Sequence, residues 1–334
     1  MKKKFLLIIT MVLLASAVAM PSLASDPGGR GAGQNSDSNS VAAESKKVSL
    51  LPDSLPSDHD QVYSPFVDFK AKYNDWLNMV HRSHEEEQPH WMTPVVTITP
   101  TLQQEIRTDF SFNHAKGLDT NTYVSKGTEI MPTENTEFIF GNPNWVTKDL
   151  GGGKQVSGWG DWYTLGKYRL LSSPSSAGDY IVTFMLSASF ATGSPQISAG
   201  HNVVTPMLSF GKGIKTSIGE FDYQGTVSSA IPDAGISKFG TPITWSSAFQ
   251  YGNPFNIGGY KIPLWPELET TWVSYPNGSN RGQQQLYLTP GLIAGRFKLS
   301  EHTYFVLGAG YQFAVTSDRA YDHQWQVTMR IPYF

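Results

Sequence analysis

The chain has 334 residues, with 25 Lys and Arg against 28 Asp and Glu, a net charge of −3, and no cysteine. The lack of cysteine excludes disulfides, thiolate metal sites and cysteine nucleophiles. The acidic balance argues against a nucleic-acid partner, and no motif in the sequence calls for a cofactor.

Residues 1–24 predict a secretory signal peptide. Lys2-Lys3-Lys4 forms a basic start, an apolar run extends from Phe5 to Ala19, and Ser22-Leu23-Ala24 supplies small residues before a cleavage point. Ala17-Val18-Ala19 is a second possible cleavage point. Loss of the signal removes three lysines and leaves a net charge of −6. After residue 24 no apolar run is long enough for a membrane-spanning helix.

Two further segments precede the main domain. Residues 25–60 are rich in Gly, Ser, Asn and Asp and predict a flexible periplasmic leader. Residues 61–92 predict a short helix, because apolar residues recur there at three- and four-residue steps. These are Phe66, Phe69, Tyr73, Trp76, Leu77 and Val80. The favoured interpretation is that the helix caps or plugs one end of the main domain. The alternative is that it binds a partner or a membrane surface.

A histidine-rich stretch in this region is a weak candidate metal site. His81 and His84 are three residues apart, so both could reach one ion from a helix, and His90 follows nearby. The favoured interpretation is a solvated charge run, because Glu85, Glu86 and Glu87 interrupt the cluster. The spacing is not that of a helical metalloprotease motif.

From about residue 103 the apolar pattern changes to a period of two, and residues 93–334 predict one all-β domain. An aromatic content of 13% and 31 glycines favour a transmembrane β-barrel over a soluble sheet. We expect an antiparallel up-and-down barrel of about 12 strands, two of them weak, at 122–131 and 135–141. Gly211-Lys212-Gly213 and Leu299-Ser300-Glu301 predict short periplasmic turns. Long extracellular loops are expected at 193–201, 231–240 and 276–283.

Charged residues that alternate with apolar ones predict the inner surface of the barrel. An Arg or Lys facing lipid near the midplane costs roughly 2–4 kcal/mol, so these side chains should face the lumen. A charge ladder that stabilises the wall is the favoured role, and a solute-binding site is the alternative. The lumen-lining candidates are Arg107, Asp109, Asp161, Lys167, Arg169, Glu267, Glu269 and Arg330.

The last strand provides a second barrel signal. Between Trp325 and Tyr333, apolar residues occupy the odd positions, while Gln326, Thr328 and Arg330 occupy even ones. The terminal Phe334 resembles the carboxy-terminal assembly signal of bacterial outer-membrane barrels. The alternative is the edge strand of a soluble sandwich.

One motif resembles a known family. Gly158-Trp159-Gly160-Asp161, followed by Lys167-Tyr168-Arg169, is similar to a strand of the outer-membrane family associated with the meta pathway of phenol degradation. The resemblance loosely covers residues 155–334, and Trp162 and Tyr163 depart from the pattern. It implies an outer-membrane barrel that transports apolar or aromatic compounds.

These expectations place the chain in the outer membrane of a Gram-negative bacterium. Its partners would be outer-membrane lipids, the barrel-assembly machinery and a small apolar solute. The leading hypothesis is a passive channel, and the alternative is a non-transporting surface barrel that acts through its extracellular loops. An outer-membrane lipid hydrolase using Ser111 ranks third, because His114 lies on the opposite strand face and no nucleophile elbow occurs.

Overall fold

The computed structural model describes residues 65–116, 118–257 and 260–333. The expected signal peptide, the leader and Phe334 lie outside these residues. Two helices are described, α1 (Pro65–Glu86) and α2 (Ile236–Phe239). The strands are β1 (Glu105–His114), β2 (Thr120–Thr133), β3 (Thr136–Gly141), β4 (Trp145–Asp149), β5 (Gln155–Trp159), β6 (Trp162–Ser173), β7 (Tyr180–Phe190), β8 (Val203–Thr216), β9 (Gly219–Ser229), β10 (Ile231–Pro232), β11 (Ile243–Ile257), β12 (Tyr260–Ser274), β13 (Gln284–Lys298), β14 (Tyr304–Ala314) and β15 (His323–Pro332).

Twelve of these strands form a closed antiparallel ring, which confirms the predicted fold class. Each strand pairs with its neighbour around the ring, and β1 closes the barrel by pairing with both β2 and β15. Closure leaves no edge strand in the ring and satisfies the main-chain groups of the wall internally. The three remaining strands lie off the ring. β4 and β5 form a hairpin in which β4 pairs with β2, and β10 pairs with β8.

The two faces of the wall have opposite chemistry. In β6, Tyr168 is 52% exposed, while Lys167 and Arg169 on either side are 3% and 5% exposed. Large apolar side chains face outward all round the ring, among them Phe184, Leu208, Phe249, Leu268, Leu292, Leu307 and Trp325. An apolar outer belt around a polar interior is the pattern of a transmembrane barrel. None of the described helices combines the length and apolar character needed to cross a membrane.

The two ends of the barrel differ in their connections. Short turns at 134–135, 174–179, 217–218 and 299–303 define the short-turn end. Long connections at 191–202, 233–242 and 275–283 define the opposite, long-loop end, as predicted. Helix α1 contacts the short-turn end, where the Trp76 indole donates to the Met131 carbonyl at 2.8 Å and the Ser83 hydroxyl donates to the Glu134 carbonyl at 2.8 Å.

One predicted turn is wrong. Gly211-Lys212-Gly213 lies inside β8 and pairs with both β7 and β9, and the chain reverses at 217–218 instead.

The weak strand signal near 122–131 also has a structural cause. Val124 and Lys126 in β2 have positive φ angles of 58° and 82°, and the pairing with β1 shifts register there, so side-chain alternation is interrupted.

Candidate functional site

The barrel lumen contains a segment of the same chain. Residues 87–104, which join α1 to β1, lie within the ring and are called the plug segment here. Val95 and Leu102 are fully buried, and Trp91 is 3% exposed. The segment forms neither helix nor strand. Its main-chain polar groups therefore need partners on the surrounding wall.

Two glutamates of β12 bind consecutive amide groups of the plug segment. Glu267 accepts the Val95 N–H at 3.2 Å, and Glu269 accepts the N–H groups of Val96 and Thr97 at 2.8 and 2.5 Å. Hydrogen bonds to a carboxylate are roughly twice as strong as neutral ones. The sequence analysis assigned Glu267 and Glu269 to the lumen, and the structure places both there in contact with the plug.

Two arginines bind the carbonyl groups of the same stretch. Arg330 of β15 donates to the carbonyls of Thr93 and Pro94, the latter at 2.6 Å. Arg107 of β1 donates to the Val95 carbonyl at 3.0 Å and is oriented by Asp109, whose carboxylate lies 2.9 Å from its Nε. The predicted lumen residues Arg107, Asp109 and Arg330 thus form one side of the plug-binding surface.

The opposite side of the lumen contacts the returning half of the plug segment. Lys167 donates to the Thr101 carbonyl at 3.2 Å and forms an ion pair with Glu137 at 3.0 Å. Glu137 also accepts the Gln103 N–H at 2.5 Å, and Thr183 donates to the Pro100 carbonyl at 2.6 Å. Lys167, predicted to line the lumen, is therefore bound to both the plug and the wall.

The plug segment is closed into a loop at its base. The Gln88 side-chain amide donates to the Leu102 carbonyl at 2.8 Å and accepts the Leu102 N–H at 2.9 Å. Next to this clamp, the predicted lumen residue Arg169 binds the Glu87 carboxylate at 2.6 Å. Both ends of the plug therefore lie near the short-turn end, and the middle of the loop reaches into the barrel.

Two glycines make room for the plug. A Cβ atom on Gly211 would lie 2.2 Å from the Trp91 ring, and one on Gly213 would lie 2.5 Å from the Trp91 indole nitrogen. Any side chain at these β8 positions would therefore displace the indole. The Gly-Lys-Gly sequence that predicted a turn instead forms the concave wall surface on which Trp91 packs.

Apolar inward-facing residues contact the plug between the charged groups. Ile139, Leu165, Met185 and Met207 form a buried cluster against which Ile98 packs. On the other side, Met92 and Val95 of the plug pack on Ile293 and Val306. These wall residues were not predicted, because the sequence analysis assigned only polar side chains to the interior.

The long-loop end is narrowed by a loop of its own. Tyr321, in the connection between β14 and β15, stacks on Tyr287 with ring centroids 4.7 Å apart and donates to the Gln312 side chain. Burial raises the pKa of the Tyr321 hydroxyl, so it remains a proton donor at physiological pH. This loop therefore contacts the inner wall on the long-loop side of the plug segment.

The structure does not bring all three histidines of the weak metal prediction together. The rings of His84 and His90 stack with their centroids 5.9 Å apart, whereas His81 is exposed. No group of three or more potential ligands is placed to hold an ion in the part of the chain that the structure describes. Glu85 lies 3.1 Å from His84 Nδ1 and 3.6 Å from His90 Nδ1, so it bridges the rings as an anion.

Electrostatics near this cluster favour neutral His84 and ionised Glu85. Burial lowers the pKa of His84, and the positive charge of Arg296 adds to this effect. The hydrogen bond from His84 lowers the pKa of Glu85 to about 2. Both residues line a cavity of about 220 Å³ at the short-turn end, together with Glu105 and Arg296.

Asp161 is the one predicted lumen residue that the structure places elsewhere. It precedes β6 at the long-loop end and accepts the N–H groups of Gly193 and Ala199, both at 2.9 Å. Desolvation alone would raise the pKa of Asp161, but hydrogen bonds from Ser198, Ala199 and Gly193 outweigh it and lower the pKa. Its carboxylate organises the loop at 191–202, because the strand pattern that placed it beside Lys167 begins only at Trp162.

No protein-family model and no curated protein matches the sequence. Solved structures do resemble the fold. An outer-membrane channel from Pseudomonas putida F1 is 12% identical, covers 70% of this chain and 96% of its own, and has a TM-score of 0.44. The translocator domain of the autotransporter NalP from Neisseria meningitidis is 10% identical, covers 80% and 97%, and has a TM-score of 0.40. The β domain of the Bordetella autotransporter BrkA is 11% identical, covers 69% and 98%, and has a TM-score of 0.39.

The closed ring, its apolar outer belt and its charged interior define an outer-membrane β-barrel. The protein lies in the bacterial outer membrane, with lipid around its wall. Its particular feature is a lumen filled by residues 87–104 of its own chain.

Proposed function

We propose that the protein is a gated, non-enzymatic passive transporter of small apolar molecules, which opens when the plug segment leaves the lumen. One observation carries this proposal: wall side chains bind the plug, and among its described residues only the last, Gln104, forms a main-chain hydrogen bond to the wall, with Tyr333. The wall's own strand pairing does not include it. The plug can therefore move without breaking the ring.

The cargo class follows from what the plug covers. Ile98 packs on an apolar inner patch formed by Ile139, Leu165, Met185 and Met207. Withdrawal of the plug would uncover this patch next to the polar ladder of Lys167 and Glu137. An apolar surface with few polar groups suits a small apolar solute. The resemblance of Gly158–Asp161 and Lys167–Arg169 to the phenol-degradation family also favours an apolar or aromatic compound.

The proposal includes an orientation and an assembly route. Outer-membrane barrels have short periplasmic turns and long extracellular loops, so the short-turn end and α1 would face the periplasm. The barrel-assembly machinery would recognise β15, the last strand of the ring. The plug would then open toward the periplasm.

A reversible tether tests the gate. A Cβ atom on Gly310 would lie 3.6 Å from Val95 Cγ1, so Val95→Cys with Gly310→Cys can join the plug to the wall after a small shift of the Thr289 methyl group. Because the chain has no other cysteine, the tether is the only disulfide. We expect the oxidised protein to block solute entry into liposomes, and reduction to restore it. Each single-cysteine variant is the control.

The competing hypothesis is a non-transporting surface barrel. It predicts that neither the wild type nor a variant with a weakened plug conducts ions or admits aromatic solutes. Solute flux that is unchanged by oxidation would also contradict a plug gate. Planar-bilayer conductance and liposome swelling together distinguish these outcomes.

A further inference from the structure

The wall recognises the main chain of the plug segment. Between residues 92 and 101, seven carbonyl groups and three N–H groups bind wall side chains. The carbonyls are those of Met92, Thr93, Pro94, Val95, Ile98, Pro100 and Thr101, and the N–H groups are those of Val95, Val96 and Thr97. Main-chain groups are common to every polypeptide, so these contacts carry little information about sequence.

The wall forms few hydrogen bonds to the plug side chains. Between residues 92 and 101, one described side-chain hydrogen bond reaches the wall, from the Thr99 hydroxyl to Gln224 at 2.8 Å. Thr97 is 1% exposed, yet its hydroxyl has no hydrogen-bond partner. A site built to select this sequence would be expected to pair a buried hydroxyl, because an unpaired one is unfavourable.

The charged wall residues are matched to consecutive main-chain groups of the plug. Carboxylates of Glu267 and Glu269 accept consecutive N–H groups, while Arg330 binds two consecutive carbonyls. Pro94 and Pro100 have no N–H to satisfy, so proline is compatible with this surface. Charged side chains on the bound chain would compete with these contacts, which favours a partner segment with uncharged side chains.

We propose that the lumen is a binding site for polypeptide main chain. A proline-containing segment of another protein, uncharged over the part that replaces residues 92–101, can take the place of the plug. Such a peptide would enter from the short-turn end, where the loop of the plug begins and ends. Its binding would displace the plug. This inference goes beyond solute transport, because it assigns a polypeptide ligand to the same lumen.

The test uses the full-length Val95→Cys/Gly310→Cys protein in detergent. Fluorescein-labelled peptides report binding by fluorescence anisotropy. The first peptide has the sequence of residues 87–104. The second keeps the composition and the positions of the prolines, Glu87, Gln88, Trp91 and Ile98, but shuffles the other residues. The third is N-methylated at the positions of Val95, Val96 and Thr97, which removes the three N–H donors.

We expect the reduced protein to bind the native and shuffled peptides with dissociation constants within about threefold of each other. The N-methylated peptide should bind more than about tenfold more weakly. The oxidised protein, whose plug is tethered, should bind none of them. Polyethylene glycol of similar length, which has no N–H groups, should not compete.

Several outcomes would overturn the inference. One is a shuffled peptide that binds more than about tenfold more weakly than the native one, since the wall would then select side chains. Another is equal binding by the oxidised and reduced proteins, which would place the peptides on the outer surface. A third is no binding by the reduced protein. Solute flux measured on the same preparation tests the transport proposal separately.

Discussion

The wall and the plug segment provide hydrogen bonds to their main-chain N–H and carbonyl groups in different ways. In β6, the main chain pairs with β3 and β7, and its side chains are free to alternate between lipid and lumen. In the plug, the main chain is paired by Glu267, Glu269, Arg330 and other wall side chains. The wall is therefore stabilised by cooperative strand pairing. The docking of the plug depends instead on separate side-chain contacts, each of which a single substitution can remove.

The largest expected effect comes from removing the acidic pair. Glu267→Gln with Glu269→Gln should destabilise the seated plug by about 3–5 kcal/mol, because the hydrogen bonds that the two glutamates accept from three N–H groups are weakened. A cysteine at Thr97 reports plug exposure, and its thiol-labelling rate should rise at least about 100-fold. Glu301→Gln, in an exposed turn, is the matched control. Heat-modifiable gel mobility should persist, since the wall is intact.

A second variant breaks the base of the plug loop. Gln88→Ala leaves the buried N–H and carbonyl of Leu102 without their partner, which should cost about 2–4 kcal/mol. Hydrogen exchange should increase in residues 87–104 and remain slow in β6 and β7. Equal acceleration in plug and wall would show that the two regions are one cooperative unit.

A third variant tests the fit between Trp91 and the wall. Gly211→Ala places a methyl group against the indole and should destabilise the closed state by about 1–3 kcal/mol through overpacking. Trp91→Leu in the same protein should recover part of that loss. Tryptophan fluorescence and thermal unfolding measure both variants. A double variant no more stable than Gly211→Ala would contradict the proposed contact.

The smallest expected effect is a pH dependence at the base of the plug. The pKa of His84 is lowered by burial, and Glu85, His90 and Arg296 face the ring. As the pH falls, His84 therefore takes up a proton at a higher pH in the undocked state than in the docked state. Its contribution to docking is complete above about pH 6.5 and is lost as the pH falls toward the lowered pKa.

Plug labelling, expressed relative to a fully exposed reference thiol at each pH, should accordingly accelerate as the pH falls below about 6.5. His84→Asn, which keeps a donor toward Glu85, should flatten this profile. A profile unchanged by the substitution would assign the pH dependence to another group.

The barrel was predictable from sequence, and the plug was not. A period of two in β6, β7 and β15 has a direct cause, since lipid and lumen impose opposite solvents on successive residues. The same rule assigned Lys167, Arg169 and Arg330 to the lumen, and all three are buried in the structure. The plug segment has no such repeat, because each main-chain group finds a different partner far away in sequence. Its mixture of Thr, Pro and Val resembles a loop.

The errors have related physical causes. Gly211 and Gly213 predict a turn because glycine is typical of turns, yet their role depends on Trp91, which is distant in sequence. Asp161 lies just before its strand begins, where alternation no longer determines direction. The inner apolar patch was missed because its residues, such as Met185, were left unassigned in the sequence analysis.

The position of the plug immediately before β1 also constrains how the barrel is made. Gln104 donates to the Tyr333 carbonyl and accepts the Tyr333 N–H, so the plug ends beside the pairing of the first and last strands. That pairing joins the ends of the ring and can form only after β15 has been synthesised. Residues 87–104 can thus be laid against an open sheet that later wraps around them. Insertion needs no threading through a finished pore, and later release of the loop leaves no knot.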